Sequence, residues 1–379
     1  MRNPPLSLYV HIPWCVQKCP YCDFNSHGVK SAIPEKEYIQ HLLDDLARDA
    51  ELIGNRVIET IFIGGGTPSL FSEQGIADLL LGIKQRVEVK PDAEITMEAN
   101  PGTMESARFD GYVQAGINRL SVGVQSFQSH HLSVLGRIHD AEQAKRAIKI
   151  TQGSQLNSFN LDLMHGLPEQ SIENALSDLH TAIQLAPPHL SWYQLTIEPN
   201  TPFYSKPPEL PDDDVLWDIQ AKGHDLLKQH GFQQYEISAY SLPGRQCQHN
   251  LNYWRFGDYL GIGCGAHGKI THAEQRKIQR TVKVKHPRGY MDLARPYLDQ
   301  TIDVKQDDLA FEFFMNRFRL VEPCPVEDFE ALTGTQLSAG QTAELNKAQE
   351  DGLIEITDSH WKVTPKGHRY LNSLLSALV

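Results

Sequence analysis

The sequence predicts an α/β protein, a partial TIM-type (β/α)6 barrel followed by a winged-helix-like helical domain. Three observations lead there. Six apolar, β-rich runs alternate with amphipathic stretches at intervals of roughly 30 to 40 residues, the pattern of repeated βα units. Right-handed crossovers curl such a parallel sheet toward a barrel or part of one. The runs end in polar or glycine-rich groups (GGGTP, MEANPG, GVQSF and LDLMHGLP), at the strand ends where such folds collect their chemistry.

The strand candidates are 6–12, 60–66, 94–100, 119–127, 158–168 and 189–199. Helices are expected between them, most plainly at 35–54, where Tyr38, Leu42, Leu46 and Leu52 fall near one face, and also at 104–116 and 172–186. The proline-rich acidic stretch 201–214 reads as a surface loop, followed by a helix at 215–229 and a β-like run at 232–241. A basic patch at 276–288 reads as irregular. From about Val304 helical patterns occupy 307–320, 325–333 and 340–351, then a hairpin at 352–364 and a closing helix at 365–377. The expected organisation is therefore a barrel over 1–268, a connecting segment over 269–303 and a winged-helix-like domain over 304–379. That last segment carries seven basic against twelve acidic residues, which argues for a packing or lid domain and against DNA binding.

The whole chain is acidic too, with a formal net charge of −12 over 379 residues, so a general nucleic-acid binder is not expected. No apolar run approaches the roughly 20 residues that span a bilayer, and the N-terminus lacks a secretory pattern. A cytoplasmic protein is expected. Contact with a membrane would run through partners or a small apolar patch, because an acidic surface is not drawn to anionic lipid.

Three of the six cysteines lie together, Cys15-x3-Cys19-x2-Cys22, just after the first strand candidate. Three thiolates on a short loop can hold three irons of a 4Fe–4S cubane, leaving the fourth iron open to an exogenous chelator. A structural zinc would need a fourth ligand, which His11 or His27 could supply; three unconnected buried thiols are the remaining reading. A cysteine count that stops at three favours the cluster.

At this point the chain resembles a known family. YVHIPWCVQKCPYC is similar to the cluster loop of radical S-adenosylmethionine (SAM) enzymes, in which the amino and carboxylate groups of SAM chelate the open iron. YxHIPWC at 9–15, GGGTPS at 64–69, MEANP at 97–101, GVQSF at 123–127, LGRIH at 135–139, NLDLMHGLP at 160–168 and HNLNYW at 249–254 extend the resemblance over essentially the whole chain. They place it near the branch that contains the oxygen-independent coproporphyrinogen III oxidases, and nearest to the heme chaperones of that branch.

The resemblance implies metal ligation by Cys15, Cys19 and Cys22, and SAM contacts from Gly66, Thr67, Glu98, Gln125, Arg137 and Asp162. Tyr9 and Tyr21 flank the loop, where an aromatic ring can cover adenine or the cluster. His249, beside the aromatics of HNLNYW, is expected to ligate heme iron while the rings cover the porphyrin. Cys264 and His267 in GIGCGAHG are further candidate ligands, although the glycines there read as a close backbone approach.

Two departures separate the chain from the oxidases. Their loop runs on to a fourth cysteine two positions beyond the third, where this chain has Phe24, and they carry a long arm ahead of the loop, whereas Tyr9 is reached almost at once. The expectation is therefore a heme chaperone that delivers heme to respiratory apoproteins and carries a SAM-coordinated 4Fe–4S cluster, as a monomer or a cluster-dependent homodimer. The alternative is a radical SAM enzyme that decarboxylates porphyrinogen propionates.

Overall fold

Leu6, Leu8, Val10 and Ile12 share one face of a strand and are all buried, and Ser7 and His11 on its other face are buried too, so the strand is covered on both faces as in a parallel sheet. The computed structural model describes residues 1–103 and 106–378. Twelve strands make the main sheet: β1 (Leu6–Ile12), β2 (Ile58–Gly65), β3 (Val89–Ala99), β4 (Arg119–Gln125), β5 (Ser158–His165), β6 (His189–Gln194), β7 (Gln233–Glu236), β8 (Ala239–Ser241), β9 (Asp258–Ile262), β10 (His267–His272), β11 (Lys277–Lys283) and β12 (Leu298–Asp303). Their order is β12-β11-β10-β9-β1-β2-β3-β4-β5-β6-β8-β7. β9 and β1 to β6 are parallel, so the six expected strands are all present and end on one edge of the sheet.

Each crossover carries a helix. Glu35–Ile53 buries Tyr38, Leu42 and Leu46, while Leu52 is only half-buried. Ile172–Gln184 also matches expectation. The expected helix at 104–116 is described as Ser106–Ala115, its first two residues lying outside the described residues. Two helices that the sequence reading did not single out, Glu73–Arg86 and Ala141–Gly153, are started by side-chain caps: Ser72 accepts from the Gly75 N–H, and Asp140 and Gln143 form a capping box.

The segment 269–303 is not a connector, and 276–288 is not irregular. β10, β11 and β12 extend the sheet as antiparallel strands. The charged residues that disguised them are paired: Lys269 meets Asp258, and Lys283 meets Asp45 and Asp49 at 2.6 and 2.7 Å, with both lysines almost fully buried. A seventh parallel strand, β9, went uncounted because its five residues run directly into the glycine-rich stretch 261–268. The sheet body therefore extends beyond residue 268.

The terminal module has its own core of Phe313, Phe314, Phe318, Phe329, Trp361 and Leu374, which Phe256 and Ile278 of the sheet body join. Its helices Leu309–Arg317, Val326–Thr333 and Ala339–Glu350 and its hairpin Ile354–Ile356/His360–Val363 match expectation. Cys324–Pro325 adds a third short strand, and the closing helix divides at Tyr370. Arg255 donates to both Glu322 oxygens at 2.8 and 2.7 Å across the junction. Among the described residues, no helix is long and apolar enough to cross a membrane.

Removing one partner of a buried ion pair leaves the others uncompensated. Burial pushes Asp45 up to about 6 even against the pull of Lys283. Lys283→Ala is therefore expected to cost about 3–5 kcal/mol in urea unfolding; a loss below 1 kcal/mol would mean that water reaches the pair.

Candidate functional site

The cysteine loop leaves β1 and is tied down at both ends. The His27 N–H donates to the Pro13 carbonyl at 2.7 Å and the Val29 N–H to the Cys15 carbonyl at 2.9 Å. Within it, the Cys22 N–H closes a turn on the Cys19 carbonyl. The glycine turn after β2 fastens to the same backbone: the Gly66 N–H donates to Ile12 O and the Thr67 N–H to Trp14 O, both at 2.7 Å. A Cβ on Gly66 would stand 2.6 Å from that Trp14 oxygen, so only glycine fits.

Cys15, Cys19 and Cys22 are free, partly accessible thiols that open into one cavity of about 450 Å³. Its wall also holds Tyr21, Gly66, Thr67, Glu98, Gln125, Arg137 and Asp162. Ten of the twelve predicted site residues thus come together. Burial raises the Cys15 and Cys22 thiols above their ordinary value. Among the described residues, no three His, Cys, Asp or Glu side chains converge on one ion position, as a closed zinc site would need. A cubane instead takes each thiolate on a different iron.

The rest of the wall suits a ligand with both anionic and cationic groups. Arg137 lies 3.6 Å from Cys19 Sγ through Nη1 and donates to Gly123 O at 2.7 Å through Nη2. Burial works against its charge, but Tyr21 and Cys19 outweigh it. Its Nε is buried without a partner. Opposite stand two carboxyls. Asp162 is held by Ser121 at 2.9 Å and Asn160 at 2.7 Å. Among the described residues Glu98 accepts only the Gly65 N–H, at 3.0 Å, and burial with the Asp162 charge pushes it up to about 7. Gln125 sits at φ 71, a strained conformation for a non-glycine residue, and its amide oxygen accepts from Tyr193 at 2.8 Å. Tyr193, Ser121 and Ser191 also line the cavity, and the sequence reading missed them. The strand alternation that turns Ser191 and Tyr193 to one face was the available signal.

Two predicted residues are elsewhere. Tyr9 does not reach this cavity: its hydroxyl pairs with His11 Nδ1 at 3.0 Å, and it lines a second cavity of about 810 Å³. His249 lines that second cavity too, but not as an open ligand. It is 1% exposed, its Nδ1 pairs with Thr60 at 2.7 Å and its Nε2 with Tyr253 at 2.9 Å. Burial and the Arg119 charge lower it to about 3, so it is a neutral imidazole with both nitrogens engaged. Cys264 is buried among Tyr38 and Asn25 and borders neither cavity. The glycines around it do mark close approaches: a Cβ on Gly261 would meet the His267 carbonyl at 2.0 Å.

The second cavity is aromatic and basic. Tyr9, Phe62, Tyr253, Trp254, Phe256 and Tyr259 line it, with Lys18, Lys269, Arg280 and Lys285. It shares Asp23, Phe24, Ser26, Gly65 and Glu98 with the cysteine cavity, so the two adjoin across the loop.

Comparison with known proteins shows the family. The family model of the radical SAM superfamily matches residues 9–179, and that of the HemN C-terminal domain matches 304–370. The chain is 59% identical to the heme chaperone HemW of Escherichia coli, over 99% of this chain and 98% of that protein. It is 31% identical to the heme chaperone HemW of Bacillus subtilis, over 98% and 99% respectively. The structure of the E. coli coproporphyrinogen III oxidase HemN, a radical SAM enzyme, superposes with a TM-score of 0.85 at 23% identity, covering 99% of this chain and 90% of that one. At that identity the likeness establishes a common fold.

Glu98 offers a test of the cavity's electrostatics in the ligand-free chain. Its carboxyl is neutral in the fold below pH 7 but ionises near 4.5 when unfolded, so its contribution to stability is full below about pH 4.5 and is lost as pH rises to about 7. Glu98→Gln is expected to match the wild type at pH 4.5 and exceed it at pH 8 by about 1–3 kcal/mol in urea unfolding. An equal difference at both pH values would contradict the buried, raised carboxyl.

Proposed function

The chain belongs to the HemW family within the radical SAM superfamily, and on that premise we propose that it binds heme and passes it to heme-requiring respiratory apoproteins, carrying a SAM-coordinated 4Fe–4S cluster. The observation that carries the reading is the pair of adjoining cavities, one walled by three thiols and the other by aromatic rings and cations. The names of its relatives support heme as cargo.

In this reading Cys15, Cys19 and Cys22 would hold the cluster and leave one iron open to the amino and carboxylate groups of SAM. The protein's own part is orientation. Gly66 and Thr67 let the backbone approach the ligand, and Glu98 and Asp162 accept from its hydroxyl or amino groups. Arg137 and Gln125 close the far wall, and Tyr21, whose ring lies 6.4 Å from Phe203, covers the loop side. Phe24, 58% exposed, stands where the two cavities meet. The second cavity takes the porphyrin, with rings for its faces and a basic side for its propionates.

Release to an acceptor needs only that the acceptor bind heme more tightly, since a ligand shifts an equilibrium by its differential affinity. The acidic terminal module packed beside the cavity, through Phe256 and Arg255, is suited to meeting such a partner and not nucleic acid.

Anaerobic reconstitution is expected to load about four irons and four sulfides per chain. Cys15→Ser, Cys19→Ser and Cys22→Ser should each abolish that load while leaving thermal unfolding of the unloaded chain within a few degrees. Hemin added to the loaded wild type should give a saturable Soret change near one per chain, with no decarboxylated product from coproporphyrinogen III, SAM and reductant. Decarboxylation without saturable hemin binding would sink the chaperone reading.

A further inference from the structure

The aromatic and basic cavity holds one imidazole that the fold leaves free. His267, at the start of β10, is exposed on the cavity wall. Among the described residues its ring makes no hydrogen bond; the groups that act on it are burial and the charges of Lys285 and Arg280, all of which lower its proton affinity. A neutral imidazole with unengaged nitrogens is the form that binds iron. The other histidines of this wall are engaged or out of reach. His249 is held at both nitrogens, by Thr60 and Tyr253, and His11 is held by Tyr9 at one and by the Asn25 carbonyl at the other. His27 packs edge-on against His286; its Nε2 has no partner among the described residues but is buried, out of reach of a ligand in the cavity.

The cations of this wall differ in the same way. Lys269 is spent on Asp258 and the carbonyls of Phe256 and Gly257, Arg280 on Glu312 and Tyr259, and Lys18 on the Phe24 carbonyl. Lys285 is exposed and, among the described residues, forms no ion pair. Asn25 fixes its backbone, donating to the Lys285 carbonyl at 2.8 Å and to the Cys264 carbonyl at 2.9 Å. One side chain thus ties the cysteine loop to the two segments that carry Lys285 and His267.

Resting on the heme-binding reading above, we propose that His267 is the protein's axial ligand to heme iron and that Lys285 pairs with a heme propionate, while His249 is a positioning residue that holds Tyr253 and Thr60 in the wall. The assignment departs from the HNLNYW expectation. It follows from which imidazole the fold leaves available.

The test uses the full, cluster-loaded chain and two probes, hemin and iron-free protoporphyrin IX, titrated by absorbance and by fluorescence quenching. His267→Ala should weaken hemin by at least about tenfold, the lower edge of what even outer-shell partners of a metal contribute, and shift the Soret band. It should leave protoporphyrin IX affinity unchanged, and added imidazole should restore the wild-type spectrum. Lys285→Ala should weaken both probes alike. His249→Ala should keep the wild-type Soret position even where affinity falls. A Soret band unaltered in His267→Ala but lost in His249→Ala would overturn the assignment. No saturable hemin binding by the wild type would instead overturn the heme reading itself.

Discussion

The site depends on one close approach. Beyond the last paired residues of β1 and β2 the two backbones continue to bond, with Gly66 donating to Ile12 and Thr67 to Trp14. That contact sets where the cysteine loop begins, and a single Cβ at residue 66 would break it. The cost of ordering a loop is several backbone wells. Here it is met by bonds at both ends, from Gly66 and Thr67 on one side and, on the other, from the short parallel pairing of Trp14–Cys15 with His27–Gly28, so three thiols can face one space.

Beneath the two cavities the strands carry a continuous polar layer where a parallel sheet would ordinarily be apolar. Asp162 accepts from Asn160, whose oxygen meets His189 at 2.7 Å; His189 meets Tyr235 at 2.7 Å. Glu94 gathers the Cys247 thiol and the His249 N–H, and His249 reaches Thr60 and Tyr253. Buried polar groups are tolerated when each finds a partner. This layer fixes rotamers under both cavities at once, and it explains why His249, conspicuous in its motif, is consumed by structure.

The parallel core was legible because one face of each strand is apolar at every second residue, as with Leu6, Leu8, Val10 and Ile12 and with Ile61 and Ile63. The cysteine cavity was legible because the strand ends place Gly66, Glu98, Gln125 and Asp162 on one edge whatever the exact register. β10 to β12 were hidden for a physical reason: Lys269 and Lys283 read as surface residues until their buried carboxylate partners, distant in sequence, are known. For Tyr9 and His249 the limit is a related one. A motif gives the residue type, but which cavity a side chain enters, and whether its nitrogens are already bound, are decided by Tyr253, Thr60 and His11 across the fold.

Phe24 belongs to both cavities. Its carbonyl is held by Lys18 at 2.9 Å and accepts the Ser26 N–H, so the backbone there is constrained while the ring remains largely exposed between the cavities. An aromatic ring adds apolar area to the shared wall and leaves the loop with three thiols. Facing it are Tyr253 and Trp254 from the helix Gln248–Trp254 and Tyr259 from β9, with Tyr253 and Tyr259 packed edge to face at 4.5 Å. A flat, apolar molecule with charged edges suits such a wall better than a small, flexible one does, because rigid rings lose little entropy on being covered. The loop that presents the thiols thus also furnishes one wall of the adjoining cavity, so whatever fills the cysteine cavity bears directly on the shape of the second.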